Sequence, residues 1–116
     1  MQPRVFRVQM NSAMVTKVAV QRGERDVTVV VEGNRPMVYR VFPVDAFRLS
    51  MDLEHVRSNL KFPELRVGHM LLSKIRIGQH RDKLRLVFDV TLSLNTVLKY
   101  AVKARANQVA VRFMKI

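Results

Sequence analysis

Residues 73–90, SKIRIGQHRDKLRLVFDV, set two runs of alternating side chains on either side of a short polar turn. Ile75 and Ile77 alternate with Lys74 and Arg76. Beyond Gly78-Gln79-His80-Arg81-Asp82, the residues Leu84, Leu86, Phe88 and Val90 alternate with Arg85, Val87 and Asp89. Successive side chains of a strand point to opposite faces, so this stretch has one apolar and one polar face and fits a half-buried antiparallel hairpin.

The hairpin has an earlier copy. At an offset of 57 residues, Thr16-Lys17-Val18-Ala19-Val20 falls on Ser73-Lys74-Ile75-Arg76-Ile77, and Val27, Val29, Val31 and Glu32 fall on Leu84, Leu86, Phe88 and Asp89. Alternation alone can imitate part of such a match, but an ungapped match through the turn is harder to obtain by chance. Tyr39 then matches Tyr100 after a small insertion, so each half reads as four strands joined by turns. One sheet cannot bury its apolar face alone, and two similar sheets packed face to face solve the problem economically. The expected fold is all-β: a small sandwich of two packed three- to four-stranded sheets with a pseudo-two-fold repeat. A partly closed barrel is the alternative.

The rest of the chain is read within this frame. Strands are expected at 15–20, 27–32, 37–42, 47–53, 98–105 and 109–113, besides the two of the hairpin. Gly33-Asn34-Arg35-Pro36 marks a turn, Pro43 is expected to end the third strand, and Ala106-Asn107 marks a tight turn in which Asn takes the left-handed conformation. In the fourth strand Leu49, Met51 and Leu53 face inward, with Arg48, Ser50 and Asp52 outward. Residues 54–72 break the pattern. Val56 and Leu60, four apart ahead of Pro63, predict a short helical crossover between the halves, and Met70-Leu71-Leu72 should plug the core. Residues 1–13 read as a linker or edge segment, with a short extended piece at Val5 to Val8, and 14–116 as one domain.

Of the 116 residues, 21 are Lys or Arg and 9 are Asp or Glu, for a net charge of +12. The halves differ: 1–58 carry 9 basic and 6 acidic residues, whereas 59–116 carry 12 and 3. Such a surplus favours a polyanionic partner, whether nucleic acid, an anionic membrane surface or a cell-wall polymer. The absence of Cys excludes disulfides and thiol chemistry without fixing a compartment. No apolar run is long enough to span a bilayer, and the first residues hold no signal-peptide h-region, so export would require a signal already removed.

No catalytic constellation is present in the sequence. His55, His69 and His80 lie in no metal-ligand cluster, the serines lack a His-Asp context, and there is no phosphate-binding glycine loop. No metal, cofactor or enzymatic activity is therefore expected. Asp52 and Asp89 occupy related places in the two halves and read as partners of nearby arginines. What remains is an outward cationic set, Arg76, Arg85, Lys99, Lys103, Arg105 and Arg112, expected to form a stripe on one sheet. No aromatic side chains are interleaved with it, which disfavours single-stranded nucleic acid. With polar neighbours such as Gln79, the stripe suits a carboxylate-bearing glycan or peptide.

Three pieces in order carry a family resemblance. They are Tyr39-Arg40-Val41-Phe42 followed by Phe47-Arg48-Leu49-Ser50-Met51-Asp52-Leu53; then Ile75-Arg76-Ile77-Gly78-Gln79; then Leu84-Arg85-Leu86-Val87-Phe88-Asp89-Val90. The pattern resembles the AMIN domain, a module of bacterial envelope proteins, over roughly residues 15–113. The chain departs from it at Ala46 and Phe47, where a proline is common, and at Ser50 and Met51, where aliphatics are preferred. The resemblance implies a two-sheet β fold and a non-catalytic targeting role in the periplasm or cell envelope, attached to a cell-wall amidase or a type IV pilus secretin. It also implies peptidoglycan as the ligand. Arg48, Arg76 and Arg85 match the motif and are contact candidates, unless they are spent on Asp52 and Asp89. Together with the cationic stripe, the candidate ligand-binding set is Arg48, Arg76, Gln79, Arg85, Lys99 and Arg112. A protein–protein adaptor in a pilus or secretion assembly, accepting a strand at a sheet edge, is the second reading, and a basic nucleic-acid-binding module the third. The isolated domain is expected to be monomeric.

Overall fold

The computed structural model describes residues 12–116. These form ten strands: β1 Ala13–Arg22, β2 Asp26–Gly33, β3 Tyr39–Asp45, β4 Arg48–Glu54, β5 Val56–Ser58, β6 Glu64–Arg66, β7 Leu72–Gln79, β8 Lys83–Val90, β9 Leu98–Arg105 and β10 Gln108–Lys115. They make two five-stranded sheets. Sheet I has the order β5-β1-β2-β10-β9 and sheet II the order β3-β4-β8-β7-β6. The apolar set of each strand faces the other sheet. Val27, Val29 and Val31, Leu49, Met51 and Leu53, Leu84, Leu86 and Phe88, and Val111 and Phe113 are all fully buried. The rings of Phe88 on β8 and Phe113 on β10 meet across the core, 5.7 Å between centroids and inclined at 56°. A buried apolar side chain of this size contributes about 1.5–3 kcal/mol through removal from water.

The repeat is present in the pairing itself. Val18↔Val31 and Val20↔Val29 between β1 and β2 recur as Ile75↔Phe88 and Ile77↔Leu86 between β7 and β8. Even the irregularity recurs: the register shift between Val15 and Lys17 has its counterpart between Leu72 and Lys74. The second hairpins obey the same rule, Val41↔Met51 in β3–β4 answering Val102↔Val111 in β9–β10.

The halves do not map onto the sheets, however. The first hairpin of each half pairs with the second hairpin of the other: β2 binds β10 with Val29↔Val111, and β8 binds β4 with Met51↔Leu86. The chain therefore crosses between sheets after β2 and after β8, and visits sheet I briefly at β5 between β4 and β6, so each half needs the other to complete its ladder.

The helical crossover is not there; among the described residues there is no helix. Residues 54–72 hold β5 and β6 instead, which add an edge to each sheet. β5 lies parallel to β1 and β6 antiparallel to β7. Val56 is buried and Leu60 packs against the core, as a helical face would require, but from extended backbone. The reason is hydrogen bonding. So short a helix leaves most of its end groups unpaired, whereas here the Asn59 N–H donates to Val15 O at 2.9 Å and the Ile77 N–H to Pro63 O at 2.8 Å.

Other expectations shift in detail. β3 runs through Pro43 instead of ending before it, because an edge strand has a side on which no donor is needed and the ladder bulges between Pro43 and Asp45. Leu71 and Leu72 are in the core, but Met70 is 64% exposed. In the β9–β10 turn Ala106, not Asn107, takes positive φ, at 52°. The extended piece at Val5 to Val8 lies outside the described residues, and β1 begins at Ala13.

Candidate functional site

The six sequence candidates do not share a surface. Arg48 on β4, Arg76 on β7 and Arg85 on β8 project from the outer face of sheet II, and Lys99 on β9 and Arg112 on β10 from the outer face of sheet I. The expected single stripe is thus divided by the hairpin exchange, which sends β7 and β8 to one sheet and β9 and β10 to the other.

On sheet II the three candidate arginines are engaged. Asp52 and Arg85 are register partners on adjacent strands. The Arg85 guanidinium donates to both carboxylate oxygens of Asp52, at 2.7 and 2.8 Å. Lys83 Nζ stands 3.7 Å away and the Ser50 hydroxyl donates at 3.4 Å. Asp52 and Ser50 have the outward parity of β4, yet they are only 2% and 0% exposed. The cover comes from β3. Phe42 is the register partner of Ser50, and the guanidiniums of Arg40 and Arg85 lie 5.3 and 5.8 Å from the Phe42 ring centroid, within cation–π range. The hydrogen bonds from Arg85 hold the Asp52 carboxyl below its ordinary pKa against the opposing effect of burial, with the charges of Arg85 and Lys83 and the Ser50 hydrogen bond assisting. Arg85 is raised in turn, first by the same hydrogen bonds.

Arg76 grips Asp89 in the same bidentate way, at 3.0 and 2.8 Å. Arg48 pairs at 2.6 Å with Asp45 across the β3–β4 turn rather than with either expected aspartate. Its hydrogen bonds, followed by the Phe47 N–H, lower the Asp45 pKa. Gln79 is occupied as well. Its amide donates to the carbonyls of Val56, His80 and Lys83 at 3.1, 3.0 and 3.3 Å, and its oxygen accepts the Ser58 N–H at 3.0 Å. It therefore fastens β5 of sheet I to the β7–β8 turn of sheet II.

Sheet I carries the same fold with a different outer surface. The places of Asp52 and Arg85 are taken by Arg112 and Thr28, which are again register partners. Arg112 turns to Asp26 at 2.8 Å. Lys99, Lys103 and Arg105 along β9 have no carboxylate within ion-pair reach among the described residues. Between them the surface is low: Thr28, Ala101 and Ala110 line a shallow depression bordered by Lys103 and Arg112. At one end the face opens into a cleft of about 750 Å³ where Lys99, Arg112, Lys115 and Arg25 meet Asp26, Glu24 and the apolar Met70, Leu71 and Ile116. The loop carrying Met70 is held there by the Arg22 guanidinium donating to Val67 O at 2.7 Å and by the His69 ring against Gly23 O at 2.9 Å. Gly68, at φ 65°, makes the bend. The convergence of Lys115, Arg25 and Met70 on Lys99 is not readable from the chain, because it depends on three segments far apart in sequence.

Comparison with protein-family models finds no match, and comparison with curated protein sequences finds none either.

Proposed function

We propose that this chain is a non-catalytic binding module, AMIN-like in character, that holds peptidoglycan and thereby localises a larger protein of the bacterial envelope. The supporting observation is the unequal pairing of the two outer faces. Of the six ion pairs among the described residues, five are on sheet II, and the cations of β9 on sheet I are left with their charge directed at solvent. The stem peptides of peptidoglycan carry carboxylates. Lys99, Lys103 and Arg105 are candidates to bind them by charge-assisted hydrogen bonds, with the small side chains between them letting a glycan strand approach the sheet. The cleft at the end of the face offers cations, carboxylates and apolar surface together, a combination suited to a short peptide bearing both amine and carboxylate groups. On this reading Arg48, Arg76 and Arg85 serve the sheet rather than the ligand.

Sedimentation with purified sacculi tests the proposal. The protein should pellet with sacculi at low salt and be released as salt screens the contacts. Lys103→Glu on sheet I and Arg66→Glu on sheet II change the net charge equally at exposed sites. The first should weaken binding roughly fivefold, as expected for reversing one exposed contact, and the second should leave it unchanged. Failure to pellet at low salt would reject the proposal, and equal loss in both variants would reject sheet I as the surface.

A further inference from the structure

The sandwich has four sheet edges, and they are guarded unequally. β5 and β6 are three residues long. β3 carries Pro43 and a bulge beside it. All three use recognised devices against pairing with another chain: brevity, proline and a bulge. β9 uses none of these three; its guard is charge, Lys99, Lys103 and Arg105, which repels another cationic edge but not an acidic one. It runs for eight residues, Leu98–Arg105, in unbroken register with β10. Among the described residues, only its first residue, Leu98, has further backbone hydrogen bonds, to the 93–95 loop. In an antiparallel ladder only every other residue turns both groups toward its neighbour, and from Lys99 onward the alternate N–H and C=O groups that point away from β10 have no partner among the described residues.

The side chains say what could pair there. On the outer face β9 presents Lys99, Ala101, Lys103 and Arg105, and residues 98–115 contain no acidic residue. On the core side Tyr100 and Val102 pack against the core but are only partly buried, and Ala104 is exposed, because the layer stops there. A second copy of the chain added at this edge would set cations against cations. We propose that β9 is a docking edge for an extended, acidic segment of a partner protein, one alternating acidic and apolar residues. The acidic residues would lie beside Lys99, Lys103 and Arg105, and the apolar ones would extend the core past Tyr100 and Val102. The inference stands on the edge geometry and does not require the peptidoglycan reading.

The probe is a fluorescein-labelled, end-blocked octapeptide alternating Glu and Val, followed by fluorescence anisotropy and by hydrogen exchange of the protein. Saturable binding should slow exchange at alternate amides of Lys99 to Arg105 and leave β3 unchanged. The same peptide N-methylated at alternate residues keeps its charge but cannot complete a ladder, and it should bind at least tenfold more weakly. A Lys-for-Glu version should not bind. Equal affinity for the N-methylated peptide would overturn the proposal in favour of simple charge attraction. Absence of binding, or protection of the same amides by self-association of the protein, would overturn it as well. Sacculi sedimentation of the same preparation separates this outcome from the fate of the peptidoglycan reading, because a chain that pellets but ignores the peptide fails here alone.

Discussion

Sheets I and II descend from one pattern and share register, bulge and inward residues, yet their outer faces have opposite characters. On sheet II five of the seven strand cations have a carboxylate partner, two of them gripping it across adjacent strands: Arg85 with Asp52, Arg76 with Asp89. On sheet I the equivalent of Asp52 is itself a cation, Arg112, and the equivalent of Arg85 is Thr28. The exchange of one carboxylate for one guanidinium removes the partner around which sheet II builds its buried cluster. The difference teaches that two sheets with similar numbers of cations, eight on the strands of sheet I and seven on those of sheet II, need not make them equally available, because sheet II also carries five carboxylates and sheet I only two. A guanidinium with two short bonds to a 2%-exposed carboxylate has its charge and one bidentate edge already committed, whereas Lys99 and Lys103 have no carboxylate in reach among the described residues.

The sharpest way to break this comparison is to substitute at the matching places. Asp52→Ala would leave Arg85 and Lys83 facing each other without the carboxylate. The loss should be about 2–3 kcal/mol, below the full cost of stranding a buried charge because Arg85 remains about one-third exposed. Arg112→Ala at the equivalent place removes an ion pair that is half-exposed on the arginine side, and should cost about 1 kcal/mol or less. Urea unfolding of both variants measures the contrast. Equal costs would show that the sheet II cluster is no more structural than the sheet I pair.

Acid should reveal the same contrast. The folded pKa of Asp52 is lowered, so its pairing stabilises the protein fully above the unfolded carboxylate value near 3.9 and is lost as pH falls through the lower folded value. Asp45 has the same sign. Thermal unfolding of the wild-type chain should therefore weaken below about pH 4, and Asp52→Asn should flatten that part of the profile. An unchanged profile in the variant would assign the acid sensitivity to other carboxylates.

Much of the architecture is written locally, and the site is not. Alternation identifies Leu49, Met51 and Leu53 or Leu84, Leu86 and Phe88 as core because burial on one face requires a period of two, and the ungapped repeat announces two related sheets. The hairpin exchange leaves no such mark. Whether β2 lies beside β4 or β10 is decided by long-range packing, and both candidates have the same inward pattern. That Asp52 and Asp89 would take arginine partners was legible and holds for Arg85 and Arg76, but which arginine meets which aspartate was not, because sheet membership decides it: Asp52 and Arg85 are 33 residues apart, and only the β4–β8 ladder brings them together. Residues 54–72 misled for a different reason. Val56 and Leu60 satisfy the helical spacing, and the competing claim of two unfilled sheet edges on the same backbone is invisible in sequence.

The turns that close the second hairpins allow the smallest and cleanest test of divergence between the sheets. In the β3–β4 turn of sheet II, Asp45 Oδ1 accepts the Phe47 N–H at 3.0 Å, so a side chain stabilises the bend. In the β9–β10 turn of sheet I, Ala106 occupies φ 52° with no such help, a conformation that a Cβ disfavours by roughly 1 kcal/mol or more. Ala106→Gly removes that clash but loosens the unfolded chain, and the two effects oppose each other. The clash is the larger, so the variant should gain a few tenths to about 1 kcal/mol and raise the melting temperature by a few degrees. Asp45→Ala in the matching turn should move stability in the other direction, since the bend there depends on its carboxylate. If Ala106→Gly instead destabilises the fold while weakening peptide capture at β9, the strained turn is serving the edge strand, and the asymmetry between the sheets extends from their charges to their backbones.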